Sequence, residues 1–402
     1  MAKICIISSQ HLSKNPRVWK EAISLTTLGH DVVILTVWTS AKILSQDYAL
    51  IANHKIQYIG VIDLISNGKN VAKKLLLKIR RRFALAVKRY INIDSVWILG
   101  VSPKKFFSVA LQVDAELYIA HVEFGFYIGQ LLIKADKKVG FDFEDWYSKD
   151  YLIRERPVKL LQKLEYTALK YGIYCTCPSH SMADALRANY KIEKEIVVIY
   201  NGFSVKENKT ILNKYHNSNL TLIWVSQTIG NGRGLETLIE SLELLDIQVT
   251  LNLVGDCSFE YAAKLKAIFP FHKNHQLVIH PTVPHTELLF LLTQHNIGLA
   301  LENNFPANKD KTISNKILQY IQAGIKILAT NTHGQIEVAA YFPETVKIVA
   351  VNKPKEWAEK LKYLINSPKV NKQQQLEIFT KHFSWEAQEK KLARLVKNIL
   401  QN

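Results

Sequence analysis

Cysteine is scarce in this chain, and what there is excludes two classes of protein. Cys5, Cys175, Cys177 and Cys257 form no C-x-x-C and no paired zinc spacing. Neither a disulfide framework nor a zinc module is therefore expected, and free thiols in a reducing cytoplasm are. Long apolar runs are missing too: no uninterrupted segment reaches the ~18 residues that read as a membrane-spanning helix. Met1-Ala2-Lys3 followed by Ile4 to Ile7 is too short for the apolar core of a signal peptide, so it reads as a first strand. There is no Asp-x-Asp in a suitable position and no evident ligand cluster, so no metal is expected. Acidic side chains are few beside basic ones, 35 Asp and Glu against 52 Lys and Arg. What remains is a chain of 402 residues, 48% hydrophobic, long enough for two domains that each bury a core.

The resulting formal charge of +17 asks for an anionic partner. The densest patch runs from Lys69 to Arg89, with Lys69, Lys73, Lys74, Lys78, Arg80, Arg81, Arg82, Lys88 and Arg89 and no acid. Val71, Leu75, Leu76, Ile79, Phe83, Ala86 and Val87 interleave at intervals of three and four, which predicts a helix with an apolar stripe flanked by cations. Such a helix suits an anionic membrane surface, where each basic residue is worth about 1 kcal/mol. A helix that turns its stripe to the core and its charges to water satisfies the same pattern. Nucleic acid is not expected, because the patch lacks interleaved polar base readers and belongs to no recognisable nucleic-acid module.

The most informative stretch runs from Ile297 to Thr330. Ile297 to Leu301 is short and apolar enough for a buried strand; a polar loop with Asn303, Asn304 and Pro306 leads to Ser314, which has the character of an N-cap. Ile317, Leu318 and Ile321 then recur at helical spacing, Gly324 stands where a left-handed residue closes a helix, and Ile325 to Thr330 reads as the next strand. In a parallel sheet, the loop after such a strand and the helix amino terminus behind it face a ligand crevice and favour an anion. Lys316 in the first helical turn runs against the helix dipole unless an anion binds, although a lysine snorkelling from a surface helix would look the same. A second phosphate-suited loop follows the strand Leu220 to Ser226, where Gly230, Gly232 and Gly234 surround Arg233 and precede the helical face Leu235, Leu238, Ile239, Leu242 and Leu245. The amino-terminal half alternates in the same manner. Strands are expected at Ile4 to Ser8, Val32 to Val37, Leu117 to Ala120 and Val139 to Phe143, with a helix opening at Pro16. A long helix is expected from Tyr151 to Tyr171, and a polar linker from Lys206 to Asn219.

Ser314-Asn315-Lys316, Gln319-Tyr320 and Ala323-Gly324 resemble the S/P-N-K-x-x-E-Y-x-x-x-G signature of family 4 retaining glycosyltransferases. Asn15 to Leu35 resembles the family's opening N-P-R-V-x-K-E-A unit, and Asp142 to Ser148 its D-x-H-E-x-Y-S element. The resemblance implies an α/β chain of two Rossmann-like, doubly wound domains, the GT-B fold, with an interdomain cleft. Residues 1–200 would bind the acceptor, 201–382 the nucleotide-sugar donor, and 383–402 would form a terminal helix packing back across the junction. It assigns the donor to Gln227, Gly232, Arg233, Val283, Ser314, Asn315, Lys316 and Gln319. It assigns the acceptor to Gln10, Asn15, Arg17 and His121, and catalysis to Glu144, Asp142, Arg233 and Lys316. The implied activity is retaining transfer of a sugar from a nucleoside diphosphate sugar to a glycan or lipid-linked acceptor. No metal or further cofactor is implied, and the work would be done in the cytoplasm or peripherally at the inner face of the cell membrane. Six positions depart from the family. Gln319 replaces a Glu that holds ribose hydroxyls, Lys311 replaces the other acid of the Glu-x7-Glu pattern, and Gln227 replaces a basic residue. Ser9-Gln10 replaces a Gly-Gly pair, and Glu144 replaces a His that contacts the transferred sugar. Gln227, Lys311, Gln319 and Glu144 keep open a non-catalytic binder of nucleotide sugars or glycans, and the fold itself also admits a nucleotide-sugar epimerase.

Overall fold

The computed structural model describes residues 1–65, 71–151, 154–206 and 220–401, except for the side chains of Lys73 and His285. Lys69 and positions 207–219 of the expected linker lie outside the described residues. The chain forms two compact units: Met1–Pro178 with Met182–Ile199 and Glu389–Asn402, and Ser179–Ser181 with Tyr200–Gln388.

The first unit holds seven strands, β1 Lys3–Ile7, β2 Asp31–Trp38, β3 Ile56–Asp63, β4 Leu117–His121, β5 Val139–Asp142, β6 Tyr174–Cys177 and β7 Val197–Val198. They pair in parallel in the order β3-β2-β1-β4-β5-β6-β7. The second unit holds β8 Leu220–Ile229, β9 Val249–Cys257, β10 Gln276–His280, β11 Ile297–Ala300, β12 Lys326–Thr330 and β13 Val346–Val349, in the parallel order β10-β9-β8-β11-β12-β13. The unbroken apolar runs of β1, β4 and β11 explain why these central strands are buried on both faces, since parallel sheets are covered by helices on both sides. Each sheet reverses its strand order once, between β1 and β4 in one unit and between β8 and β11 in the other. The carboxyl ends of those pairs are where open α/β sheets bind ligands.

The tyrosine of the Gln319-Tyr320 pair is a structural residue. Its ring is fully buried, its hydroxyl accepts from the Val225 N–H of β8 at 3.3 Å and donates to the Leu299 carbonyl of β11 at 3.4 Å, tying the two strands at the switch point. The ring fits only because residue 298 has no side chain: a Cβ there would lie 2.4 Å from Tyr320 Cγ. Gly298→Ala is accordingly expected to cost about 1–3 kcal/mol through overpacking, read as a lower denaturation midpoint. A midpoint equal to the parent's would show that the ring has room to move.

Two expectations need correction. The helix foreseen from Tyr151 begins only at Val158, because Pro157 lacks an N–H and disfavours helical backbone at Arg156; Tyr147–Lys149 form a separate 3-10 turn. β8 runs three residues further than expected, with its register against β9 shifting between Val225 and Thr228, so Gln227 lies in an irregular strand end and not in the glycine loop. The basic segment is a helix over Val71–Ile91, as expected; among its described residues Leu77 and Ala84 are buried while Leu75, Ile79 and Phe83 are exposed, which is not the core-facing alternative. None of the four cysteines forms a disulfide, and burial pushes the Cys175 thiol up to about 12, which makes it a poor nucleophile.

Candidate functional site

In the second unit the loops after β8 and β11 meet at the switch point. Gly232 and Gly234 have positive φ, +71° and +76°, and a Cβ on Gly234 would come within 3.3 Å of Trp357, so this turn needs bare backbone. Asn303, just beyond β11, donates from Nδ2 to the Gly232 carbonyl at 2.7 Å and fastens one loop to the other. Glu302, between β11 and Asn303, is held by its backbone, its N–H donating to Thr330 Oγ1 at 2.8 Å. Its carboxylate accepts from Ser314 Oγ at 2.9 Å and from Lys316 Nζ at 2.5 Å, while the same ammonium lies 5.7 Å from the Trp224 ring centroid. Burial alone would raise the Glu302 carboxyl, but Lys316, the Ser314 hydroxyl and the charge of Arg233 outweigh it and hold it below the ordinary glutamate value. Arg233 and Lys316, drawn from different crossover units, thus bear on a single carboxylate.

The helix behind this pair runs from Asn315 to Ala323. Ser314 caps it, accepting from the Lys316 N–H at 3.4 Å, and Gly324 closes it with φ +69°. Lys316 is not snorkelling: its side chain is 13% exposed and paired. Asn315 is exposed and Gln319 half-buried, one turn apart on the same helix face; Gln227 is exposed before the glycine loop, and Val283 lies half-buried after β10. Lys311, at the position where the resemblance asks for an acid, sits 3.3 Å from Asp310, which also accepts from His333 Nδ1 at 2.7 Å.

The first unit gathers a second group at the ends of β4 and β5 and on the helix after β1. Asn15 caps that helix, its Oδ1 accepting from the Val18 N–H at 3.3 Å, and its Nδ2 reaches both oxygens of Glu144 at 2.8 Å. Arg17 is buried, not on the helix surface: Nε pairs with Asp142 Oδ2, and Nη1 donates to the Ile199 carbonyl at 2.6 Å. His121 is fully buried at the end of β4. Its Nε2 lies 2.6 Å from Glu21, and its Nδ1 lies 3.0 Å from Glu144 and 3.5 Å from Asp142. Burial would push the imidazole pKa down, but Glu21, Glu144 and Asp142 overcome that and hold it up at about 10, so His121 is a cation at neutral pH. Two buried cations, Arg17 and His121, thus offset the mutual repulsion of Asp142 and Glu144. Gln10 stands apart, with an exposed side chain and a carbonyl that accepts from Thr36 Oγ1 at 2.7 Å.

One expectation about ligand groups fails. Among the described residues, Glu21, His121 and Asp142 bring ligand atoms within 4.8 Å of one another. Both ring nitrogens already face carboxylates and Arg17 holds Asp142, so a metal there would have to displace a proton and oppose a guanidinium. The arrangement is built as an ion-pair network.

Sequence reasoning overlooked Glu302 and Glu21. Glu21 had a signal, since it follows Arg17 by one helical turn on the same face. Glu302 had only its place at the carboxyl end of an apolar strand.

No family model matches the chain, and no curated protein does. Solved structures do. A glycosyltransferase from Rickettsia africae superposes with a TM-score of 0.69 at 16% identity, covering 100% of this chain and 99% of that one. Sucrose-phosphate synthase from Thermosynechococcus elongatus gives 0.70 at 12%, with both chains covered in full. The fold is GT-B. HepE from Anabaena, solved with UDP and glucose, gives 0.64 at 13% identity over 99% of this chain and 100% of that chain. The GT-B assignment rests on architecture along the whole chain; at these identities it carries no residue assignment.

Proposed function

We propose that this chain transfers a sugar from a nucleoside diphosphate sugar to a glycan or lipid-linked acceptor at the cytoplasmic face of a membrane, with retention of configuration and without a metal. The observation that carries the reading is the pairing of Lys316 with the Glu302 carboxylate, a carboxylate that also feels the charge of Arg233, beside a capped helix amino terminus at the switch point of a GT-B unit. That carboxylate marks an anion seat, which a diphosphate would take. In the reaction the bond between the sugar's anomeric carbon and the β-phosphate oxygen breaks, a bond from the acceptor oxygen to that carbon forms, and the acceptor hydroxyl's proton passes to the departing diphosphate. Negative charge then grows on the departing diphosphate, where Arg233, Lys316 and the helix N–H groups stand preorganised to stabilise it. Gln227, Ser314, Asn315 and Gln319 are assigned to the rest of the donor, with Val283 toward the base. Glu144, fixed by Asn15 and His121 as an acceptor of hydrogen bonds, is assigned with Asp142 to the reacting hydroxyls.

Gln319 and Lys311 favour one second reading, a binder that turns nothing over. A screen of nucleotide sugars, followed by analysis of donor and products, separates the outcomes. The transferase releases nucleoside diphosphate and makes a glycosylated acceptor. Thermal stabilisation without turnover identifies the binder, and conversion of donor without acceptor identifies an epimerase. Absence of both binding and turnover with every donor removes the proposal.

A further inference from the structure

The helix Val71–Ile91 turns a continuous apolar stripe away from its own unit. Val71, Leu75, Ile79, Phe83 and Tyr90 recur at one helical face, each between 51% and 80% exposed. On the opposite side, Leu77 and Ala84, seven residues apart, are the contacts that seat the helix. The stripe therefore runs the length of a 21-residue helix, roughly 30 Å, with no sheet or helix over it among the described residues. On one flank of the stripe, by helical position, stand Lys78, Arg82 and Arg89; on the other, Arg80 lies 5.5 Å from the Trp97 ring centroid. No acidic residue interrupts the segment before Asp94, which is tied to Lys88 at 2.6 Å.

We infer that this face docks on an anionic lipid bilayer, lying in the plane of the interface with its apolar stripe among the upper acyl chains and its flanking cations at the headgroups. The combination of features selects this occupant. Water leaves five large apolar side chains solvated along one line, which a helix facing solvent has no reason to carry. A polyanionic nucleic acid would use the cations and leave the stripe wet. A second copy of the same face would bring like charges together. Acidic lipid satisfies both the apolar area and the charge. Spanning is a different matter: among the described residues, no helix is long and apolar enough to cross a membrane. The inference goes beyond sugar transfer and does not depend on it.

The test is co-sedimentation of the full chain with vesicles of phosphatidylcholine alone and with phosphatidylglycerol added, at low and high salt. Binding is expected to the anionic vesicles at low salt, to weaken at high salt, and to be nearly absent with phosphatidylcholine alone. The double variant Ile79→Ser/Phe83→Ser and, separately, Lys78→Glu/Arg82→Glu are each expected to reduce binding more than tenfold. Because these side chains are exposed, both variants keep the parent's thermal midpoint, which separates lost docking from lost folding. Failure to bind anionic vesicles at low salt overturns the inference, and so does binding that Ile79→Ser/Phe83→Ser leaves unchanged. Tighter binding to a duplex oligonucleotide than to vesicles, insensitive to the serine substitutions, overturns it in favour of nucleic acid. Concentration-dependent dimerisation abolished by the serine substitutions overturns it in favour of self-association. Vesicle binding without any nucleotide-sugar binding upholds it while removing the transferase reading.

Discussion

Arg233→Ala and Lys316→Ala are each expected to weaken nucleoside diphosphate binding by one to two orders of magnitude and to cut the thermal stabilisation the ligand gives the parent to about half or less. A hydrogen bond to a charged group is worth about 1.5–3 kcal/mol, or roughly a factor of ten to one hundred and fifty in a dissociation constant. A ligand supplied at one hundred times its dissociation constant stabilises by about 2.7 kcal/mol; after a hundredfold loss of affinity, the same concentration gives about 0.4 kcal/mol. Lys316→Ala has a further consequence. It leaves the Glu302 carboxylate, 16% exposed in its side chain, without its ammonium partner and beside the seat a diphosphate would take. The single variant therefore combines a lost contact with a new repulsion. Lys316→Ala/Glu302→Gln removes the stranded charge, and is expected to recover stability while binding stays weak. Glu302→Gln alone frees Lys316 from its internal competitor, so it is expected to bind nucleoside diphosphate more tightly than the parent. Parent-like affinity in both alanine variants, measured by titration calorimetry, would disconnect these cations from the ligand.

The strand, loop and helix that present Lys316 were legible in the sequence because their signals are local. The apolar run of β11, the Ser314 cap and the left-handed Gly324 each report on neighbours within a few residues, and the structure has all three. The parallel α/β class followed from the same alternation. What was not legible depends on separation. Glu302 meets Lys316 across fourteen residues, but the charge of Arg233 acts on the same carboxylate across sixty-nine, and it is the pairing of β8 with β11 that brings the two loops to one end of the sheet. The cluster of Glu21, His121 and Asp142 was hidden for the same reason, since these residues share no spacing that a scan along the chain detects. The orientation of the basic helix was equally hidden. Its pattern defines a stripe, but which stripe meets the sheet is decided by the fit of Leu77 and Ala84 to the rest of the unit. Tyr320 shows a third limit: a motif residue that reads as part of a binding signature spends its hydroxyl on the backbone of two strands.

Arg17→Met is expected to destabilise the first unit by about 3–5 kcal/mol, the usual cost of removing one partner from a buried ion pair. The reason is the condition of Asp142. It is 3% exposed, its Oδ1 has no hydrogen-bond partner among the described residues, and its Oδ2 depends on Arg17 and on the more distant His121. Methionine fills the space of the guanidinium stem but leaves that carboxylate with too little positive charge, so the denaturation midpoint should fall well below that of a substitution at an exposed arginine such as Arg82. The histidine of the same network makes a separate, pH-dependent statement. Its pKa is about 10 in the folded chain against an ordinary 6.5, so the folded state binds the proton more tightly than the unfolded one. The stabilisation this brings is complete below pH 6.5 and is lost as pH rises toward 10. Between about pH 7 and pH 10 the parent should therefore lose stability, whereas His121→Gln, which has no proton to lose, should show a flatter profile over that window. Glu21→Gln, which weakens the hold on the imidazolium without touching Glu144, should move the decline to lower pH. A parent profile as flat as that of His121→Gln would mean that the imidazole is neutral. Glu144 would then lose the cation that holds it in place, and its assignment to the reacting sugar would fall with it.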